Sequence, residues 1–306
     1  MPKRIDYALI FSDIHSGGKL GLCNPNATTI ETTEKVQGGE IYTESWEEPV
    51  QLNGFQEYLW ESLTKEWLPA VKKIVGKNKI TLISGGDLTQ GNRWKTHLMT
   101  NTMENQYRLA VFSVLPFLQL MNVHQFFLVT GTEVHIGEEG IAPHQVKMLL
   151  RLPEFREQYK NDIDMHVAHH LMLDVNGFVM DVAHHGSGTG SRTWLKGNMI
   201  RYEMKSNILA EKLAGNMPPD LYVRGHFHSP IEEDHTQFIS DQPMRTKSIV
   251  VPSLAGMNMH ARKVTRSAPS VTNGIALAEI IDGKTSKIHW FMKTLDLRTK
   301  KKVYKA

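Results

Sequence analysis

Short apolar runs of strand length, rich in Val, Ile and Phe, recur at residues 7–12, 79–84, 125–130, 178–183, 220–224, 248–252 and 274–281. Their near-continuous hydrophobicity predicts strands buried on both faces. Between them apolar residues return at helical spacing: Phe55, Leu59, Leu63, Trp67 and Val71, then Tyr107, Val111, Val114, Leu115 and Leu118. Strands alternating with amphipathic helices predict a layered α/β domain. Residues 165–183 read differently, as two strands joined at Asn176-Gly177, a strong hairpin signal, so the sheet is expected to be mixed.

Polar stretches interrupt this pattern. Residues 24–51, rich in Thr and Glu, form one long insertion, and 231–247 and 257–273 form two more, of the kind that caps a site or a partner surface. Val-Ala-His-His occurs at both 167–170 and 182–185, too short to count as a repeat. Nothing resembles a linker, so all 306 residues are expected to form a single domain.

Composition adds a few exclusions. With 41% hydrophobic and 22% charged residues the chain has the makings of a soluble globular protein. The apolar run near the N-terminus is too short for a signal sequence, and no run is long enough to span a membrane. The single Cys23 rules out an internal disulfide or a cysteine-based zinc site and fits a reducing, cytoplasmic setting. A net charge of +3 permits a polyanionic substrate without requiring one.

The fifteen histidines change the picture, because several stand beside Asp and Gly at the ends of apolar runs. Four clusters do so: Ser12-Asp13-Ile14-His15, Gly85-Gly86-Asp87, His184-His185-Gly186 and Gly225-His226-Phe227-His228. Strand ends are where sites assemble in open α/β sheets. Asp13 and His15, like His226 and His228, are two apart, which on an extended segment puts both side chains on one side. Two such pairs and a central Asp87 suffice for two adjacent cations. Mixed imidazole and carboxylate donors suit Mn, Fe or Zn better than Mg.

The order Asp-x-His, Gly-Asp, Gly-Thr, His-His and Gly-His-x-His, over residues 7–228, resembles the calcineurin-like metallophosphoesterase superfamily. That resemblance implies a four-layer αββα sandwich with two mixed β-sheets. It also implies a dinuclear centre, with Asp13, His15 and His228 on the first metal, His184 and His226 on the second, and Asp87 bridging. The metals expected are two divalent ions, Mn first, with Fe or Zn as alternatives. Two cations roughly 3.5 to 4 Å apart activate a bridging hydroxide for in-line attack on a phosphoester.

The chain departs from the family where Gly-Asn-His is usual and Gly131-Thr132-Glu133-Val134-His135 stands instead. A similar Gly-Thr-x-x-His pattern resembles a branch often encoded by phages and prophages, which would place the protein in a host cytoplasm. Either Thr132 or the charged Glu133 supplies the missing ligand, and His135 is the candidate general acid or transition-state stabiliser. His184 is favoured over His185 as the ligand of that pair, leaving His185 and Thr132 to meet substrate. His169 and His170 are expected to be structural. The Gly-rich turn after His185 leads to Arg192, a candidate phosphate contact, and to a helix bearing Arg201, Lys205 and Lys212.

The expected activity is hydrolysis of a phosphodiester in DNA, RNA or a nucleotide, the tilt coming from basic segments at 260–266 and 298–305. A phosphomonoesterase or protein phosphatase is the alternative within the class. A non-catalytic scaffold of the same fold is the alternative outside it. A zinc peptidase is disfavoured, since no His-Glu-x-x-His is present.

Overall fold

Strand β1 (Ile5–Phe11) shows how the layers are built, because its side chains alternate between two cores. Tyr7, Leu9 and Phe11 join a large cluster with helix residues such as Leu59, Trp67, Val114 and Phe117. Ala8 and Ile10 face the other way and pack with Met180, Val182, Val223 and Ile249. One face of the sheet therefore meets helices and the other meets a second sheet.

The computed structural model describes residues 3–93, 95–137, 140–188, 193–239, 242–257 and 269–298. Its further strands are β2 (Thr28–Gln37), β3 (Glu40–Pro49), β4 (Ile80–Ser84), β5 (Val123–Val129), β6 (Asp164–Ala168), β7 (His170–Val175), β8 (Phe178–Ala183), β9 (Leu221–Arg224), β10 (Ile231–Ile239), β11 (Gln242–Val250), β12 (Ser270–Ile281) and β13 (Thr285–Asp296). The first sheet runs β13-β12-β1-β4-β5-β6 and the second β10-β11-β9-β8-β7. Both are mixed: β1, β4, β5 and β6 are parallel, as are β8, β9 and β11, while the outer hairpins are antiparallel.

Helices α1 (Gly54–Glu61), α2 (Leu68–Val75), α3 (Met103–Leu120) and α5 (Ile141–Arg151) pack on the outer face of the first sheet. Between them lie the short α4 (Glu133–Ile136) and, after α5, α6 (Pro153–Arg156). Helix α7 (Asn198–Leu213) covers the second sheet through Ile200, Met204 and Ile208, against Tyr222, Ile231 and Val250. The order of layers is helix, sheet, sheet, helix, the αββα sandwich with two mixed sheets expected from the motif order.

The four-residue spacing from Phe55 to Val71 has a specific cause. An α-helix turns every 3.6 residues, so residues four apart drift off one face. A π-helical turn, Ser62–Trp67, joins α1 to α2, and its wider i→i+5 turns bring Leu59, Leu63, Trp67 and Val71 back into line.

Three sequence expectations differ from the fold. Residues 24–51 are not a loop, because β2 and β3 pair through the two-residue turn at Gly38-Gly39 and form a ribbon outside both sheets. Residues 231–247 are not a capping loop either; they form most of the β10–β11 hairpin at the edge of the second sheet. The stretch read as one strand before Asn176 is two, because the chain crosses between sheets at His169, β6 pairing with β5 and β7 with β8. The Asn176-Gly177 turn itself forms, both residues having positive φ. Most of 257–273 lies outside the described residues.

Candidate metal centre

All the clusters sit just past the C-terminal ends of strands: Asp13 after β1, Asp87 after β4, Thr132 after β5, His184 after β8 and His226 after β9. Backbone hydrogen bonds continue beyond the strands and lock the loops together. Asp13 N–H donates to the Gly86 carbonyl at 3.0 Å, His15 N–H to that of Asp87 at 3.0 Å, and Gly225 N–H to that of His184 at 3.0 Å.

Seven described non-glycine residues have positive φ, and five of them are Asp13 (55°), His15 (45°), Asp87 (50°), His226 (66°) and His228 (51°). An L-residue pays about 1–2 kcal/mol for this conformation. Strain of that kind collects where the surroundings hold side chains in place for function. The extended backbone expected for the Asp13/His15 and His226/His228 pairs is thus replaced by left-handed residues. Left-handed residues turn Asp13 and His15 toward one donor group, while His226 and His228 leave one tight loop for different groups, His226 toward His184 and His185 and His228 toward Asp13 and His15. Two glycines permit the approach: a Cβ on Gly86 would lie 2.3 Å from His184 Nδ1, and one on Gly131 2.0 Å from Asp87 Oδ1.

Four overlapping sets of potential ligand atoms result, each within 4.8 Å: Asp13 with His15 and His228; His15 with Asp87 and His135; Asp13 with Asp87 and His184; and His184 with His185 and His226. In the first, His228 Nε2 lies 3.2 Å and His15 Nε2 3.8 Å from Asp13 Oδ1. His15 Nε2 is also 3.8 Å from Asp87 Oδ2, which on its other side is 3.1 Å from His184 Nε2. Asp87 therefore stands between two groups of donors.

The second group is where the sequence expectations need sorting. Glu133 is exposed, belongs to none of the four sets, and opens helix α4. A carboxylate there is favoured by the helix N-terminus alone. Thr132 occupies the centre instead. Its N–H donates to Asp87 Oδ1 at 2.6 Å, and its hydroxyl lies 3.3 Å from His184 Nε2, 3.2 Å from His185 Nε2 and 3.3 Å from His226 Nδ1. Both residues of the His-His pair reach the centre, His184 buried and His185 exposed. Arg192 lies outside the described residues, as does the basic segment 260–266.

Tautomers follow from the second partners. His184 Nδ1 is 2.7 Å from the Gly85 carbonyl and His135 Nδ1 2.7 Å from that of Gln90, so each Nδ1–H donates and each Nε2 is turned toward the centre. Burial pushes His15 down to about 3, and pushes His226 down to about 4 with help from the charge of His184. Both rings are neutral donors. Burial opposes ionisation of Asp13 and Asp87, but His228 and His184 respectively outweigh it and hold both carboxyls below the usual range. Burial alone would lower His184; the Asp87 charge and hydrogen bond overcome it and raise it to about 9.

A support not anticipated from sequence lies behind His226. Arg224, buried at the end of β9, pairs through Nη1 with Asp181 Oδ1 at 2.6 Å and through Nε with Glu203 of α7 at 3.4 Å. Glu203 in turn accepts the N–H of Ser187, just past the His-His pair. The only signal in the sequence was an arginine closing an apolar strand next to a Gly-His-x-His motif. His170 joins this network through Asp181 at 2.9 Å, and His169 Nδ1 is 2.7 Å from the Thr130 hydroxyl.

The donors suit divalent cations. Asp13 and Asp87 are 0% and 2% exposed, and imidazole nitrogens, not Lys or Arg, lie within 4.0 Å of their oxygens among the described residues. Two buried carboxylates ringed by imidazole nitrogens, His15 and His226 neutral and His184 holding a proton that a cation could replace, could hold metal ions.

No protein-family profile matches the chain. No curated protein matches it either. Among solved structures it is similar to Vps29 of Chaetomium thermophilum, at 9% identity and a TM-score of 0.31, over 95% of this chain and 98% of that one. It is also similar to a Thermotoga maritima protein solved by NMR, at 15% identity and a TM-score of 0.25, over 56% of this chain and 80% of that one. The strand order and the layers define the fold.

Proposed function

We propose that the chain is a two-cation phosphoesterase of the calcineurin-like kind, of the Gly-Thr-x-x-His branch, and that it hydrolyses a phosphodiester. The observation that carries this reading is the convergence of five left-handed Asp and His residues on the ends of strands from both sheets, with Asp87 between two donor groups. Asp13, His15 and His228 would hold one cation, His184, His226 and His185 the other, with Asp87 shared. Bound divalent ions supply Lewis acidity toward a phosphoryl oxygen and lower the pKa of water. Mn, with Fe or Zn as alternatives, agrees with the mixed N and O donors.

The remaining groups have roles set by their positions. Asp87 keeps its orientation through the Thr132 N–H, which fixes one carboxylate oxygen. The Thr132 hydroxyl, central to the second group, is placed to donate to a phosphoryl oxygen or to serve as a neutral ligand. His185, exposed beside it, faces an incoming substrate. His135, locked through Nδ1 on the Gln90 carbonyl, turns Nε2 toward the centre, where, once that nitrogen also carries a proton, it would act as the acid for the leaving oxygen. A nucleic acid or nucleotide is the favoured substrate on the strength of the basic segments at 260–266 and 298–305.

The test is manganese-supplemented hydrolysis of a bis-aryl phosphodiester by wild type and by Asp87→Asn. Turnover that disappears in the variant while the melting temperature holds supports the reading. Cation binding without turnover toward diesters, monoesters, single-stranded or duplex DNA would leave a scaffold in its place. Activity on DNA that is insensitive to salt would argue against nucleic acid as the substrate.

A further inference from the structure

The β2–β3 ribbon belongs to neither core sheet. Its base is fastened to α3, where Asn105 exchanges hydrogen bonds with the Ile30 backbone at 2.7 and 3.0 Å and Arg108 Nη2 meets Glu47 at 2.8 Å. Beyond that base every residue from Glu34 to Trp46 is exposed. Ten-residue strands span about 33 Å. An isolated two-stranded ribbon of that length is at best marginally stable in water. Its tip nevertheless carries apolar side chains: paired Val36 and Ile41 are 72% and 70% exposed, and Tyr42 and Trp46 show on the opposite face.

The ribbon is also set apart by charge. Residues 28–49 contain six glutamates and one lysine, a net of −5; the chain carries +3, so the rest of it carries +8. The lone Lys35 is already paired with Glu44. An acidic arm with an apolar tip seeks a basic surface with an apolar stripe.

One such surface lies on the opposite outer layer. Helix α7 buries Ile200, Met204 and Ile208, yet its other side shows Met199, Tyr202, Leu209 and Leu213, at 50%, 66%, 57% and 81% exposure. With Leu195 before and Ser206 between, their steps alternate four and three, the spacing of a helix–helix seam. Lys205 and Lys212 flank the stripe, whereas the acidic Glu203 and Glu211 of the same helix are engaged by Arg224 and Asn216. A two-fold pairing of α7 with itself would set Lys205 against Lys205 and is disfavoured.

We infer that the ribbon is an assembly arm, and that its Val36–Ile41 tip docks on the α7 stripe of a second copy of this chain. Arm and seat lie on opposite outer layers, so the contact is head to tail, closing as a ring or running on as a chain of copies. Apolar contact supplies affinity, and the −5 arm against a +8 body supplies orientation and salt sensitivity.

Sedimentation velocity of the full chain tests this without reference to catalysis. Wild type should self-associate at low salt and dissociate at least tenfold more readily at high salt. Val36→Ser with Ile41→Ser, and separately Leu209→Gln with Leu213→Gln, should each weaken association at least tenfold, at unchanged melting temperature because all four side chains are exposed. Mixing the two variants should restore a species of two chains, since one keeps its arm and the other its seat. A wild-type monomer at all concentrations, self-association untouched by either variant, or variants that fail to complement would each overturn the inference.

Discussion

The two donor groups on either side of Asp87 are built differently. The first, Asp13 with His15 and His228, joins a carboxylate with no exposure to two imidazoles that are largely covered. The second, His184 with His185 and His226, is all imidazole, has an exposed member, and has a threonine hydroxyl at its centre. In the proposed centre, charge and burial would favour tighter occupancy at the first group. All-imidazole, more open ligation would favour exchange and substrate access at the second. In the proposed centre the contrast would put the buried charge in one half and the opening toward substrate in the other, with His135 beside His15 on the first side.

The largest expected effect removes the residue the halves share. Asp87→Asn keeps the shape that accepts the Thr132 N–H but loses the shared charge, and kcat toward an aryl phosphodiester should fall at least about a hundredfold, close to 3 kcal/mol of barrier. Steady-state kinetics with added manganese reads it. Next, the halves should separate under alanine substitution. His228→Ala should lower bound metal from two equivalents to one by elemental analysis, while His185→Ala should keep two and weaken the second about tenfold. Equal losses from both would erase the contrast.

A smaller effect should come from behind the second position. Glu203→Gln loosens the hold on Arg224 and Ser187, and outer supports of this kind are worth roughly 10–100-fold in metal affinity. The weakening should be confined to the second equivalent in a metal titration.

The smallest is a pH effect. His184 in the metal-free protein is raised from 6.5 to about 9, so its proton stabilises the fold fully below about pH 6.5 and that contribution is lost as pH rises through about 9. Denaturant unfolding in chelator should show a decline of order 1–3 kcal/mol between pH 7 and 9.5. Manganese, by taking the place of that proton, should flatten it. An identical slope with and without metal would place His184 outside the centre.

The contrast was only half legible in the sequence. Strands β1, β4, β5, β8 and β9 carry near-continuous apolar runs, and the polar clusters follow each run directly, so both the layers and the loops bearing the ligands could be read. Left-handed backbone at Asp13, His15, Asp87, His226 and His228 could not, because Asp and His take up that conformation only occasionally and nothing beside them in the sequence requires it. Nor could the position of Thr132, since a hydroxyl in place of an amide reads as a loss until its distances to three imidazoles are known. The ribbon hid for a simpler reason. With no buried face beyond its base it lacks apolar alternation, and only Gly38-Gly39 marked the turn. The crossing at His169 was invisible because one apolar pattern serves strands of either sheet.

The claim on which the rest depends is that two cations share Asp87. Anomalous diffraction from manganese-loaded crystals tests it most directly. The prediction is two peaks roughly 3.5 to 4 Å apart on either side of Asp87, one against Asp13, His15 and His228 and the other against His184 and His226 with His185 or Thr132. A single peak, or peaks away from Asp87, would contradict it.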